Sequence, residues 1–172
     1  MPTSYQAPMR GDQPKKTMSQ TAESNLSHDT ATVQKLIDIK GSAVFSIRPE
    51  ETLKAAVTLL RDKRIGALLV MDDAGDLKGI LSERDIVRKL AETPGQTLPQ
   101  SVAENMTTKV ETCELAEPLV SVLKRMNAGR FRHMPVVENE EVKGIVTIGD
   151  LVNFRLTQLE HEALQMKQMI VG

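Results

Sequence analysis

Aromatic residues are scarce in this sequence, and their scarcity limits the kinds of binding site that it can build. They make up 2% of the 172 residues, and tryptophan is absent. A site that stacks nucleic-acid bases on successive rings is therefore hard to assemble. The formal net charge is −1, so the chain also lacks the basic excess of a nucleic-acid or membrane-surface binder. We expect neither nucleic acid nor a membrane among its partners.

Cysteine and long apolar runs are scarce as well. The single cysteine, Cys113, cannot form a disulfide within the chain, which fits a reducing compartment. No apolar run approaches the roughly 20 residues of a membrane-spanning helix, and the polar start of the chain has no apolar signal-peptide core. These observations predict a soluble, cytoplasmic protein. Residues 1–28, which are polar and contain prolines, are expected to form a flexible tail.

What the sequence does contain is an internal repeat. Each copy is predicted as a strand, an amphipathic helix, a buried strand, a turn, a strand and a helix. The predicted elements cover 44–47, 52–63, 65–71, 77–81 and 82–91 in the first copy, and 110–113, 118–127, 131–137, 142–146 and the stretch from 147 in the second. In the helix over 52–63, Leu53, Ala56, Val57 and Leu60 are predicted to face the core.

A short segment leads into each copy. Val33, Leu36 and Ile37 predict a helix that begins near Asp29 or Thr30 and stops at Gly41. A brief helix over 102–106 is predicted at the equivalent place before the second copy. We therefore divide the chain into a tail over 1–28, a lead-in helix with the first repeat over 29–92, a linker over 93–100, the second repeat over 101–156, and a C-terminal helix over 157–172.

The C-terminal region carries an apolar seam whose spacing alternates between four and three residues, as in a coiled coil. Its members are Val152, Leu156, Leu159, Ala163, Met166 and Ile170. Two interpretations remain open. The helix packs on its own domain, or it contacts a second subunit, which the length of the seam beyond the repeat favours.

The most informative motif is a turn that occurs once in each repeat. Gly79, Ser82 and Asp85 of the first copy recur 65 residues later as Gly144, Thr147 and Asp150. A hydroxyl residue followed three positions later by an acid resembles a capping box, which contributes about 1 kcal/mol to a helix. The same geometry also suits a nucleotide, since the helix start can hold a phosphate and the carboxylate can accept ribose hydroxyls. Arg84 has glycine as its counterpart, so the two sites are predicted to be unequal.

The repeat order and the duplicated turn resemble a pair of cystathionine-β-synthase (CBS) domains, or Bateman module, over about residues 33–156. The resemblance implies an α+β fold of two β-α-β-β-α repeats related by a pseudo-two-fold axis, with a flanking N-terminal tail and C-terminal helix. It also implies clefts between the repeats that bind AMP, ADP, ATP, NAD(H) or S-adenosylmethionine. In such modules the aspartate holds the ribose and the hydroxyl residue positions phosphate, roles that fall here on Asp85 and Asp150, and on Ser82 and Thr147.

The starts of the two buried strands supply the other candidate residues. By position in the family, the adenine lining would include Gly66, Ala67, Met134 and Pro135. Basic residues at the strand starts either are simply solvated or clamp the phosphate. In the second interpretation, Arg132 and His133 act from one repeat and Arg84 from the other, with Lys40 as a further cation.

No group of residues suggests catalysis or a metal site, and Cys113 is predicted as a small core residue. The sequence therefore predicts a non-catalytic sensor that binds an adenine nucleotide, with AMP placed first. It would act as a homodimer on an unidentified regulated protein. The alternative is a dimerisation scaffold that has no physiological ligand and in which the two turns are only helix caps.

Overall fold

The computed structural model describes residues 31–171, so the predicted tail and the predicted helix start at Asp29 or Thr30 lie outside the described residues. The first helix, α1, spans Val33–Lys40. It ends at Gly41, whose positive φ of 93° is a conformation that glycine adopts without strain, so the predicted stop is confirmed.

The first repeat forms a three-stranded sheet with two helices. Its elements are β1 (Ser46–Ile47), α2 (Leu53–Lys63), β2 (Ala67–Met71), β3 (Leu77–Ser82) and α3 (Glu83–Glu92). The central strand β2 pairs in parallel with β1 and antiparallel with β3. Three of the four residues predicted to face the core on α2 are buried, whereas Val57 is 38% exposed and its prediction is wrong.

The second repeat follows the same order with a reduced first strand. Its elements are α4 (Leu119–Gly129), β4 (His133–Glu138), β5 (Glu141–Thr147) and α5 (Ile148–Val171). In place of the strand predicted over 110–113, only Cys113 pairs, through one parallel bridge to Val136 of β4. The predicted fold class, an α+β protein of two repeats with a C-terminal helix, is confirmed.

Each repeat has its own hydrophobic core, and each core is completed by the segment that precedes the other repeat. The first core contains Ile47, Leu53, Ala56, Leu60, Leu68, Val70, Leu81, Ile86 and Val102. Val102 is fully buried there although it follows the linker. The second core contains Ala31, Val33, Leu36 and Ile37 together with Cys113, Leu119, Val122, Met126, Met134, Val136, Val146 and Leu151. The two lead-in segments therefore cross, while the predicted domain limits remain a prediction.

Backbone hydrogen bonds fix this crossing. The N–H of Val102 donates to the carbonyl of Glu51 over 2.8 Å, and Ile80 of β3 exchanges bonds of 3.0 and 2.9 Å with Thr107. On the other side, the N–H of Val33 donates to the carbonyl of Glu117 over 2.9 Å. The stretch 102–106 forms a single hydrogen-bonded turn instead of the predicted helix.

The glycine of each repeated turn lies where a lead-in segment passes. A Cβ on Gly79 would come within 2.7 Å of Met106 Sδ and 2.8 Å of the carbonyl oxygen of Thr107. A Cβ on Gly144 would come within 2.8 Å of Ile37 Cδ1. The repeated glycine therefore permits the close approach of each lead-in segment to the sheet.

Candidate functional site

The two repeated turns cap the helices that follow them. Asp85 Oδ2 accepts hydrogen bonds from the N–H of Ser82 over 2.9 Å and from its hydroxyl over 2.6 Å. Asp150 Oδ2 accepts from the N–H of Thr147 over 2.9 Å, and its own N–H donates to Thr147 Oγ1 over 3.1 Å. Capping thus involves one oxygen of each carboxylate. Among the described residues, Oδ1 of neither aspartate has a hydrogen-bond donor, so each keeps an oxygen that a ligand can use.

Asp150 differs from Asp85 in having a cationic partner. Lys40, the last residue of α1, forms an ion pair with Asp150 Oδ2 and donates to the carbonyl of Ile145 over 2.7 Å. The two side chains are only 27% and 25% exposed. Lys40 reaches the second turn because α1 packs on the second repeat. Within the described part of the chain, Asp85 forms no ion pair. The two turns, which are predicted to be unequal, therefore also differ in whether their aspartate is paired with a cation.

His133 lies where the two repeats meet. A Cβ on Gly66 of the first repeat would lie 3.4 Å from both Cε1 and Nε2 of the His133 ring. The same Cβ would lie 3.9 Å from Glu83 Oε2, at the start of α3. The bare α-carbon of Gly66 therefore leaves room for the imidazole. Two of the predicted site residues, from different repeats, meet at this point.

The charges around His133 are mixed. Burial lowers the pKa of His133, and the nearby charges of Lys40 and Arg132 lower it further. The carboxylates of Asp150 and Glu83 act on this pKa in the opposite direction. The imidazole is consequently held towards its neutral form, in which it both donates and accepts a hydrogen bond.

Arg84 forms a second connection between the two repeats. Its Nη1 donates to the carbonyl of Arg130 over 3.1 Å, at the left-handed residue that ends α4. The first N–H of each capped helix is bonded to the loop before the buried strand of its own repeat, since Glu83 donates to Gly66 and Ile148 to Arg132, both over 3.0 Å. The strand starts and the helix starts are thereby held together.

Not every predicted residue reaches this cluster with its side chain. Met134 is fully buried in the second core. Ala67, which is opposite Ser82 in the pairing of β2 with β3, is only 6% exposed. Pro135 pairs with Ile145, and its carbonyl accepts a bond of 3.0 Å from the N–H of Cys113. A role for these three residues in holding adenine stays a prediction.

Glu83 belongs to the cluster and was not among the predicted residues. It follows Ser82 directly, and its counterpart in the second repeat is Ile148. The signal in the sequence is the difference between the two copies. A repeated position that is polar in one copy and apolar in the other indicates a role outside the shared fold. The same kind of difference between the two turns points to Arg84, whose counterpart is Gly149.

Two open cavities lie mostly away from this cluster. A groove of about 680 Å³ runs between α1 and α5, and Asp150 is the one predicted site residue in its lining. A second cavity of about 410 Å³, beside β1 and the turn over 72–75, contains none of the predicted residues. The described residues include no group of three or more histidine, cysteine or acidic side chains placed to hold a metal ion. They also include no helix that is long and apolar enough to cross a membrane.

Cys113 is buried in the second core, as predicted. Burial raises the pKa of its thiol to about 12, with a smaller contribution in the same direction from Glu117. The thiol is therefore protonated at neutral pH, and only the thiolate is a strong nucleophile.

Comparison with known proteins identifies the repeat. The CBS domain model matches the chain twice, at residues 36–92 and 101–157, which is more than half of its length. The CBS domain-containing protein YhcV of Bacillus subtilis is 30% identical over 126 residues, covering 73% of this chain and 86% of its own. The chain spans about a third of the length of two longer curated relatives, from Methanocaldococcus jannaschii (34%) and Thermofilum pendens (33%).

Solved structures show the same architecture. A CBS-domain-containing protein from Agrobacterium tumefaciens superposes with a TM-score of 0.71 at 38% identity, over 73% of this chain and 99% of its own. The CBS domain pair of protein MJ0100, solved in complex with 5′-methylthioadenosine and S-adenosyl-L-methionine, gives a TM-score of 0.67 at 25% identity, over 75% and 98% of the two chains. By sequence and by structure, the chain belongs to the CBS domain family, of which it carries two copies.

Proposed function

We propose that this chain is a non-catalytic regulatory module that binds an adenine nucleotide between its two repeats. AMP is the ligand that we place first, with ATP, ADP, NAD(H) and S-adenosylmethionine as the related candidates. The observation that carries the proposal is the pair of aspartates in the helix caps, each of which has one carboxylate oxygen left for a ligand. Lys40 forms an ion pair with the second of them, and the charge of Arg132 acts on the neighbouring His133.

Each part of a nucleotide has a candidate partner in this region. Oδ1 of Asp85 or Asp150 would accept hydrogen bonds from the ribose hydroxyls. A hydrogen bond to a charged carboxylate is stronger than one to a neutral acceptor. The hydroxyls of Ser82 and Thr147 and the cations Arg84, Arg132 and Lys40 would meet phosphate oxygens. The neutral imidazole of His133 would offer one more donor or acceptor. The solved complex of the MJ0100 domain pair supports an adenosine ligand, since both of its compounds contain adenosine.

A homodimer would transmit occupancy of the site to a regulated protein. Apolar side chains remain exposed on the repeat helices, among them Val57 of α2, Val87 and Leu90 of α3, and Val152 of α5. An apolar surface of this kind is typical of an interface. It also suits the alternative, a dimerisation scaffold without a ligand, so ligand binding is the decisive measurement.

Calorimetric titration of the purified chain with AMP, ATP, NADH and S-adenosylmethionine tests the proposal. We expect binding heat for at least one compound, and a melting temperature that rises with its concentration. A chain that gives neither heat nor a melting shift with any of the four compounds is a scaffold, and the sensor function is then wrong.

Replacing the two aspartates separates binding from capping. Asp85→Asn and Asp150→Asn keep the shape of the cap but remove the charge that strengthens bonds to ribose. We expect each variant to weaken binding at its own site by about 1.5–3 kcal/mol, roughly tenfold to a hundredfold. Isothermal titration gives the affinity, and Asp62→Asn on the exposed side of α2 is the control. Normal affinity with a lowered melting temperature would make the aspartates caps alone.

A further inference from the structure

The C-terminal helix α5 presents its apolar seam to solvent. Within the described residues, the exposed fraction is 42% for Val152, 53% for Leu156, 44% for Leu159, 58% for Met166 and 84% for Ile170, and Ala163 is exposed as well. Apolar surface that stays in water is unfavourable in proportion to its area. The described part of the chain, residues 31–171, leaves the seam uncovered, so a partner beyond these residues is needed to bury it.

The spacing of the seam identifies the shape of that partner. Leu156, Ala163 and Ile170 occupy the a positions of a heptad, and Val152, Leu159 and Met166 occupy the d positions. A repeat of seven residues keeps such a seam facing another helix of the same period. A second copy of this chain would supply that helix, since its own α5 carries the identical exposed seam.

The charges beside the seam select the orientation of the two helices. In a parallel pair, a g residue faces the e residue five positions further along the partner helix. Glu162 at g then faces Lys167 of the other copy, and Arg155 at g faces Glu160. Both pairs are attractive. Among the described residues, Glu160, Glu162 and Lys167 form no ion pair within one chain, so their charges are available to the partner.

The opposite orientation is unfavourable. An antiparallel pair that aligned the same seam about its centre would place Glu160 against Glu160 and Glu162 against Glu162 of the second copy. Like charges placed face to face on paired helices are destabilising. The same residues that attract in one orientation therefore repel in the other.

We propose that α5 pairs with α5 of a second copy as a parallel, in-register coiled coil over residues 152–170. This inference rests on the homodimer of the proposed function and adds its orientation. Two and a half heptads are marginal as an isolated coiled coil. Contacts between the repeats of the two copies would raise the effective concentration of the helices and make the pairing favourable.

Cysteine cross-linking of the full chain tests the register. In a parallel pair the two copies of residue 166 meet, within the span that a disulfide requires. Under mild oxidation we expect Met166→Cys to convert largely to a covalent dimer on a denaturing gel. The control Gln168→Cys, at the outward f position of the same helix, stays monomeric under the same conditions. Cys113 is buried, so it is a silent background thiol. Equal cross-linking of the two variants would overturn the proposal.

Charge exchange tests the orientation independently. Glu162→Lys places two cations together and should raise the monomer fraction in sedimentation equilibrium, and the double variant Glu162→Lys, Lys167→Glu should restore the dimer. In an antiparallel pair residue 162 would face itself, so the double variant would not recover and the orientation would be wrong. A wild-type dimer that is insensitive to all these changes is held by the repeats alone, which refutes the coiled coil only. A monomeric wild-type chain refutes the homodimer too, while nucleotide binding is judged separately by calorimetry.

Discussion

Asp85 and Asp150 make the same capping contact but have different electrostatic neighbours. Asp85 accepts from a neutral hydroxyl, whereas Asp150 shares its Oδ2 with the ammonium of Lys40. A ribose that binds Asp150 must therefore accommodate an ammonium that is already in place. The phosphate of a nucleotide would provide Lys40 with a second anionic partner beside Asp150, whereas a nucleoside has no such group. The proposed site at Asp150 is expected to distinguish AMP from adenosine for this reason.

Lys40→Met tests that expectation. The substitution removes the cation but keeps much of the aliphatic stem, so AMP should bind about tenfold more weakly through the loss of a charged hydrogen bond. Adenosine should bind equally well or better, because Asp150 is no longer paired. Titration calorimetry with both compounds measures the two affinities, and Lys35→Met on the same helix is the control. An equal loss for both ligands would show that Lys40 acts on the structure and not on phosphate.

The capping contacts of the candidate site residues could be predicted from the sequence where these residues lie in the repeated motif. The repeated turn predicts that four residues cap the following helices, and the structure contains these contacts. The four residues are Ser82, Asp85, Thr147 and Asp150. The sequence could not assign Lys40 to Asp150, because the two are far apart in the chain and the pairing depends on where α1 packs. Nor could the continuous apolar run after residue 133 show that Met134 faces the core, since a strand buried on both faces has no alternation.

At the level of elements, the least predictable features were the lead-in segments. Periodicity identified the apolar face of α1 correctly, but it cannot tell which core that face enters. The position of the stretch 102–106, which is equivalent to that of α1, predicts a helix there. Its first N–H is bonded to Glu51, and only one turn follows before Thr107 pairs with β3. Tertiary pairing has overridden a weak local preference.

The repeated glycine provides a prediction for these elements. Gly79→Ala would place a methyl group 2.8 Å from the carbonyl oxygen of Thr107, so the crossing segment must shift. We expect a loss of about 1–3 kcal/mol in the free energy of unfolding, as for overpacking in a core. Denaturant unfolding measures it. Gly149→Ala is the matched control, because its Cβ would lie 3.7 Å from Thr147 Oγ1 and α5 should tolerate or favour alanine there. Equal stability of the two variants would contradict the close-approach role.

At the level of the whole molecule, the sequence repeats and the structural cores do not coincide. The first core needs Val102 and is joined by Met106, both of which follow the linker. The second core needs α1, which precedes the first repeat. A ligand bound between the repeats, as proposed, would therefore contact two bodies that already share their lead-in segments. Such crossing is expected to make the unfolding of the two repeats mutually dependent.

Fragments of the chain test whether the first core needs the segment that crosses into it. A fragment over 42–109 contains the whole first core, whereas 42–92 contains the first repeat without the segment that completes it. Losing Val102 alone removes a fully buried side chain, worth about 1.5–3 kcal/mol. A core in a chain of fewer than about 80 residues rarely supplies more than about 3–5 kcal/mol of stability. We expect cooperative thermal unfolding for 42–109 and none for 42–92, measured by far-ultraviolet circular dichroism. Val102→Ala in the longer fragment should melt at a lower temperature than its parent. If 42–92 melts as cooperatively and at the same temperature as 42–109, then the first repeat is complete without the crossing segment, and the role assigned to Val102 is wrong.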